Sequence, residues 1–201
     1  DFMKQVPTTW DVKRFQSEYP KVELKLMNGD YHDVEQWLSE GSVDLGFIAL
    51  PTRLKGRITA LLEDRLLAVV PVDHRLASLP RFPIKEVENE PFISLLETSD
   101  HDARRALEAA GVKPNIRYTT KDDYAIIAMV EQGLGVSIMP ELLLSGRSDN
   151  VRIMELTPPA SRTIGLCLPD ADRAGPATLR FADCVSDWVR EHYSRLQNTL
   201  S

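Results

Sequence analysis

The chain has 201 residues, 43% of them hydrophobic and 27% charged, with a mean hydropathy of -0.23. That excludes a disordered, collagen-like or disulfide-scaffold chain and leaves one large domain or two small lobes, each able to bury a core. A formal net charge of -6 and a pI near 5.3 argue against general binding to nucleic acid or an anionic membrane, and no run of about 18 apolar residues suits a transmembrane helix.

The predicted elements alternate between helix and strand. A helix is expected over 8–19, stopped by Pro20. Val22-Glu23-Leu24-Lys25-Leu26 alternates apolar and polar residues, as a half-buried strand does. A helix over about 31–39 ends at Gly41, a position where a left-handed residue often closes a helix. Residues 43–50 (VDLGFIAL) form a nearly continuous apolar run, as in a parallel strand buried on both faces. Further strands are expected at 66–72, 92–96, 116–120, 136–139, 151–156 and 163–168. Helices are expected over 100–110, stopped by Gly111, and over 122–132, stopped by Gly133. The last helix runs from Pro176 toward Leu196, with Phe181, Val185, Trp188 and Val189 on one face. This alternation predicts an α/β fold with a mainly parallel sheet.

Breaks at 71–83 and at Pro158-Pro159 divide the chain into lobe I, residues 1–71 plus 164–201, and lobe II, residues 72–163. The tail after the second break is too short for a third domain, so it is expected to complete lobe I. Two chain crossings then form a two-strand hinge. Ligands of open α/β sheets bind beyond the carboxyl ends of the strands, so two such lobes predict a cleft.

Catalytic constellations are missing: there is no HExxH, GxSxG, P-loop or SxxK. His32, His74, His101 and His192 are scattered, and no catalytic residue, metal site or cofactor is predicted. Gly133-Leu134-Gly135 lacks the third glycine and the preceding strand of a dinucleotide fingerprint and reads as a helix stop. Cys167 and Cys184 read as two buried thiols of a cytoplasmic protein. Asp1–Gln5 lacks the apolar region of a signal peptide, and a chain opening on Asp1 reads as a piece of a longer protein.

Helix starts carry the most information. Ser99–Asp102 and Thr120–Asp123 fit a capping-box pattern. Each serves either as a plain cap, worth about 1 kcal/mol, or as a seat for a carboxylate or phosphate at the positive end of a helix. On lobe I the matching turn is Asn28-Gly29-Asp30-Tyr31, where Gly29 permits close backbone approach and Tyr31 offers a ring and a hydroxyl; a purely structural turn is the alternative. Helix N-termini favour an anion, whereas Glu97, Asp100, Asp30 and Asp122 favour an amine, an amino acid or a polar neutral compound. The charge of the ligand stays open.

Several segments, in order, resemble the effector-binding domain of LysR-type transcriptional regulators. Val6-Pro7 followed by Phe15-Gln16-Ser17-Glu18-Tyr19-Pro20 is similar to the family's opening helix. Leu38–Phe47 is similar to its L-x-x-G-x-x-D segment, Pro71–Ala77 to its P-x-x-H-P-L-A turn with Arg75 in place of proline, and Val130–Pro140 to its V-x-x-G-x-G segment. The resemblance implies a periplasmic-binding-protein-like fold of type 2, with two Rossmann-like lobes, a small-molecule effector in the cleft and no enzymatic activity. It implies that DNA is bound only through an N-terminal winged helix-turn-helix outside this sequence, and that this domain forms a homodimer or tetramer. It also implies a first strand ahead of residue 6, where only Asp1–Gln5 stand. The effector is then expected to meet Gly29, Asp30, Tyr31, Pro51 and Thr52 on lobe I and Thr98, Ser99 and Thr120 on lobe II. The rival readings are a transporter's solute-binding protein, with the same fold and cleft, and a small cleft enzyme, for which no acid–base pair or nucleophile is visible.

Overall fold

The computed structural model describes residues 8–96, 102–144 and 150–199. The chain forms two compact units: unit 1 comprises Asp1–Glu63 and Thr163–Ser201, and unit 2 comprises Asp64–Arg162.

Unit 1 holds α1 (Thr8–Glu18), α2 (Tyr31–Glu40), β1 (Gly46–Leu50), α6 (Pro176–Thr199) and the outer parts of two long strands, β2 (Arg57–Pro71) and β7 (Val151–Leu168). α2 has a well-defined start and stop. The Asp30 carboxylate accepts the Asp33 N–H at 3.0 Å, the Asp33 carboxylate accepts the Asp30 N–H at 3.1 Å, and Gly41 closes the helix at φ 70°. β1 pairs antiparallel with β7, from Gly46 opposite Cys167 to Leu50 opposite Thr163. Leu38, Ile48 and Cys167 form the core beneath this pair, with Val34, Leu50 and Ile58 packed against it. Phe15 of α1 is fully buried, its ring 4.8 Å from that of Tyr19 and 5.1 Å, edge-on, from that of Phe181 in α6.

Unit 2 holds β3 (Phe82–Pro83), a 3-10 turn (Ile84–Glu88), β4 (Pro91–Leu95), α3 (Asp102–Ala109), β5 (Asn115–Thr120), α4 (Asp123–Glu131), β6 (Ser137–Pro140), α5 (Glu141–Leu144) and the inner parts of β2 and β7. β2 pairs antiparallel with β6, Leu66 opposite Pro140 and Val69 opposite Ser137. Successive residues of β2 point to opposite faces. Leu66, Ala68 and Val70 pack with Phe82, Ile84, Leu107 and Leu156, while Leu67 and Val69 pack with Ile93, Ile126, Val130 and Met139. Burial on both faces explains the unbroken apolar run from Leu66 to Pro71. β4 and β5 pair in parallel.

Three expectations are corrected. Residues 22–30 carry no strand; Val22 and Leu24 are half-buried and Glu23 and Lys25 exposed, but alternation alone makes no ladder without a neighbouring strand. The segments 151–156 and 163–168 are one continuous strand, β7, rather than two. Pro158 and Pro159 sit inside it at exposed positions, past the end of the ladder with β3 at Thr157. The sheets are mixed rather than mainly parallel, because the β1–β7 and β2–β6 ladders are antiparallel.

Unit 2 also buries a charge network. Asp64 is 0% exposed, Asp102 5% and Arg162 6%. Arg162 Nε donates to Asp64 Oδ2 at 2.8 Å and its Nη2 lies 2.7 Å from the same oxygen, while Nη1 donates to Asp102 Oδ2 at 3.3 Å. Asp64 Oδ1 accepts the Leu142 N–H at 3.0 Å, and Asp102 also pairs with Arg105. Burial pushes the Asp64 carboxyl above its ordinary value of 3.8, with Arg162 opposing the shift. A carboxyl that binds its proton more tightly in the folded chain contributes most below its unfolded value, and that contribution is lost as pH rises through the folded value.

Replacing the cation takes away the buried partner of Asp64, while Asp102 keeps Arg105. Arg162→Met is expected to lose about 3–5 kcal/mol at neutral pH, and less as pH falls and the Asp64 carboxyl takes up its proton. Urea unfolding at neutral and acid pH checks this, and a loss that does not shrink at acid pH would contradict it.

Candidate functional site

On unit 1, the expected residues gather on the first half of α2. Gly29 has no room for a side chain: a Cβ there would stand 2.6 Å from Asp33 Cβ and 2.7 Å from Trp37 Cη2. The glycine therefore seats the turn against the helix. Asp30 is the N-cap of α2, and Tyr31 is its first residue, half-buried. Pro51 follows β1 and is exposed. The Thr52 hydroxyl donates to Glu35 Oε1 at 3.0 Å and accepts the Leu54 N–H at 3.1 Å. Glu35 lies one helical turn beyond Tyr31, so the turn before α2 and the turn after β1 are fastened to the same helix.

On unit 2, Thr98 and Ser99 fall outside the described residues. Thr120 ends β5, and its carbonyl accepts the Leu96 N–H at 2.9 Å, which brings the ends of β4 and β5 side by side. The cap of α4 is Asp122 rather than Thr120: Asp122 Oδ1 accepts the Tyr124 N–H at 2.9 Å. The Thr120 hydroxyl instead accepts the Asp122 N–H at 3.1 Å, bracing the capping residue. Asp is the stronger cap and stands where the helix begins. Burial pushes the carboxyl of Asp123, in the first turn of α4, above its ordinary value of 3.8.

Unit 1 also contains a cavity of about 440 Å³ between residues 22–29 and the start of β1, with Trp37 and Phe181 in its walls. The Gly46–Leu50 strand is at the end of its sheet, and among the described residues it has no strand partner other than β7. No group of three or more His, Cys, Asp or Glu side chains suited to a metal occurs among the described residues. No helix among them is long and apolar enough to cross a membrane.

The Asp64–Arg162–Asp102 network was not among the expected site residues. Period-two reading of the strands carries the signal for two of its members. Asp64 shares a strand face with Leu62 and Leu66, and Arg162 shares one with Ile164, all buried. A charge in such a register needs a buried partner.

Comparison with known proteins places the chain. The model of the LysR substrate binding domain matches residues 12–190. The uncharacterized HTH-type transcriptional regulator YvbU of Bacillus subtilis is 28% identical over 178 residues, covering 88% of this chain and 61% of that protein. The transcriptional dual regulator GltC of the same organism is 26% identical over 194 residues, covering 92% of this chain and 63% of that protein. The chain thus spans about three fifths of the length of these relatives. Among solved structures, the CcmR regulatory domain of Synechocystis PCC6803 in complex with 2-PG superposes with a TM-score of 0.82 at 18% identity, covering 94% of this chain and 95% of that one. The effector binding domain of QuiR in complex with shikimate gives a TM-score of 0.80 at 20% identity, covering 92% and 91%. The fold is therefore the α/β, periplasmic-binding-protein-like fold of LysR regulatory domains.

The capping assignments are testable. Asp30→Ala and Asp122→Ala should each lower stability by about 1 kcal/mol, and Thr120→Ala by less than half of that. Denaturant midpoints measure all three, and a larger loss for Thr120→Ala than for Asp122→Ala would return the cap to Thr120.

Proposed function

The chain belongs to the LysR substrate binding domain family, and on that premise we propose that it is the ligand-sensing part of a transcriptional regulator. The carrying observation is the match over residues 12–190, joined to relatives named as transcriptional regulators. Those names do not favour the transporter or cleft-enzyme readings. DNA is contacted by another part of the full-length protein, and the regulator works in the cytoplasm.

The effector is a small metabolite with at least one anionic or strongly polar group. The residues proposed to meet it on unit 1 are Gly29, Asp30, Tyr31, Pro51 and Thr52; on unit 2, considered by itself, they are Thr98, Ser99 and Thr120. Two observations support the chemistry. The turns at 29–31 and 51–52 are braced on α2 by hydrogen bonds that leave little freedom in their backbone. The CcmR regulatory domain is in complex with 2-PG and the effector binding domain of QuiR is in complex with shikimate. Binding favours one of two conformations of the full-length regulator, which requires a coupling of only about 1–3 kcal/mol between effector and DNA. The cavity in unit 1 borders Gly29 but is not the proposed effector site. It lies beside an edge of β1 that has no strand partner among the described residues.

The domain also self-associates. Ile116 and Tyr118 on β5 are 47% and 41% exposed, and Leu26 on unit 1 is 55% exposed. In an antiparallel dimer the region of α1 and residues 22–27 of one protomer covers α3 and β5 of its partner.

Two measurements test these readings. A thermal-shift screen of metabolites beginning with 2-PG and shikimate should yield a compound that raises the melting temperature. Its affinity by calorimetry should fall at least about tenfold, or 1.4 kcal/mol, in a Thr98→Ala/Ser99→Ala double variant. Equal affinity in both proteins would refute the site. Sedimentation should show a dimer that Ile116→Glu with Tyr118→Glu dissociates, and a monomer at high concentration would refute the interface.

A further inference from the structure

The charge network of unit 2 occupies a particular place in the chain. Asp64 is the first residue of unit 2 on β2, and Arg162 is its last on β7. The polypeptide therefore enters and leaves the unit through two residues that form one buried ion pair. The third member, Asp102, is the first residue of α3. The fourth contact is the N–H of Leu142, in the first turn of α5, which Asp64 Oδ1 accepts. One guanidinium and the carboxylate it binds thus fasten both connecting strands to the starts of two helices.

Stability does not call for this arrangement. The neighbouring positions on the same strand faces are Leu62, Leu66 and Ile164. Apolar residues in place of a buried ion pair are often as stable or more so. What the charges add is geometry. Apolar contacts tolerate sliding, whereas a planar guanidinium holds two carboxylates in a fixed fork. Arg162 donates Nε to Asp64 Oδ2, with Nη2 2.7 Å from the same oxygen, and donates Nη1 to Asp102. If Asp102 moves, Arg162 must either follow it and disturb Asp64 or give up its Nη1 bond, while Asp102 keeps Arg105 on its own helix. Both outcomes reach the backbone of β2 and β7 at the points where they leave the unit.

We propose that Arg162 is a positioning residue that transmits displacement of the α3 N-terminus to the two strands connecting the units. In the regulator this is the route by which an effector is felt beyond its own contacts. That role rests on the effector reading above, because Thr98 and Ser99 lie four and three residues before α3 in the sequence. The mechanical claim itself can be tested without any effector.

The experiment perturbs one end of the network and reads the other. Asp102→Asn removes a charge at the start of α3. Hydrogen exchange is then followed at residues 62–66 of β2 and 160–164 of β7, with Phe92–Leu95 of β4 as the reference for general loosening. Asp102→Asn should speed exchange at both connecting segments by about tenfold relative to β4. In an Arg162→Lys background, which keeps the charge and loses the fork, the same substitution should add less than about twofold. Glu108→Gln, at the exposed far end of α3, should leave both segments unchanged. An equal rise in β4 would mean plain destabilisation and would overturn the proposal. So would unchanged connecting segments in Asp102→Asn, or an undiminished effect in the Arg162→Lys background. This outcome is independent of the calorimetric test, so the transmission can fail while the effector site stands, and the reverse.

Discussion

The chain passes from one compact unit to the other along two continuous strands, and at each passage a buried strand position carries a charge. Asp64 and Arg162 satisfy one another across 98 residues of sequence, and Asp102 joins them from the start of α3. Buried ions of this kind tolerate little rearrangement, because moving one leaves another unpaired in a poorly polarisable surrounding. The constraint fixes where β2 lies against β7 and where α3 and α5 begin. The apolar contacts on the two faces of β2 then fill the space around that frame.

Much of this architecture follows from local chemistry. Asp30, Asp33 and Gly41 start and stop α2 by the bonds that their types and spacing predict. The apolar run ending at Pro71 is a strand covered on both faces. What escaped local reading depended on partners distant in sequence. Residues 22–26 have the alternation of a strand, yet a strand exists only when another supplies its hydrogen bonds. Pro158 and Pro159 have the signature of a break, yet an exposed stretch of β7 accommodates them. Thr120 has the type and spacing of a cap, but Asp122 stands closer to the helix start and takes the role. Asp64 and Arg162 are separated by most of unit 2, and only the period-two register of their strands hints that each faces inward.

The candidate site was legible to a similar degree. Residue types that favour turns and helix starts marked 29–31, 51–52 and 120, and each is held by short-range hydrogen bonds in the positions described. The sequence could not say that Gly29 is required by Asp33 and Trp37, or that the Thr52 hydroxyl is already engaged by Glu35, because both facts depend on the packing of α2. The rigid framing of these turns supports the proposal that a small polar ligand is bound beside them.

The most direct test of that account is a crystal structure of this domain with a metabolite that raises its melting temperature. The account predicts density for the ligand touching Asp30, Tyr31, Pro51 or Thr52. Density confined to the unit 1 cavity beside Trp37 and Phe181, touching none of these residues, would contradict it.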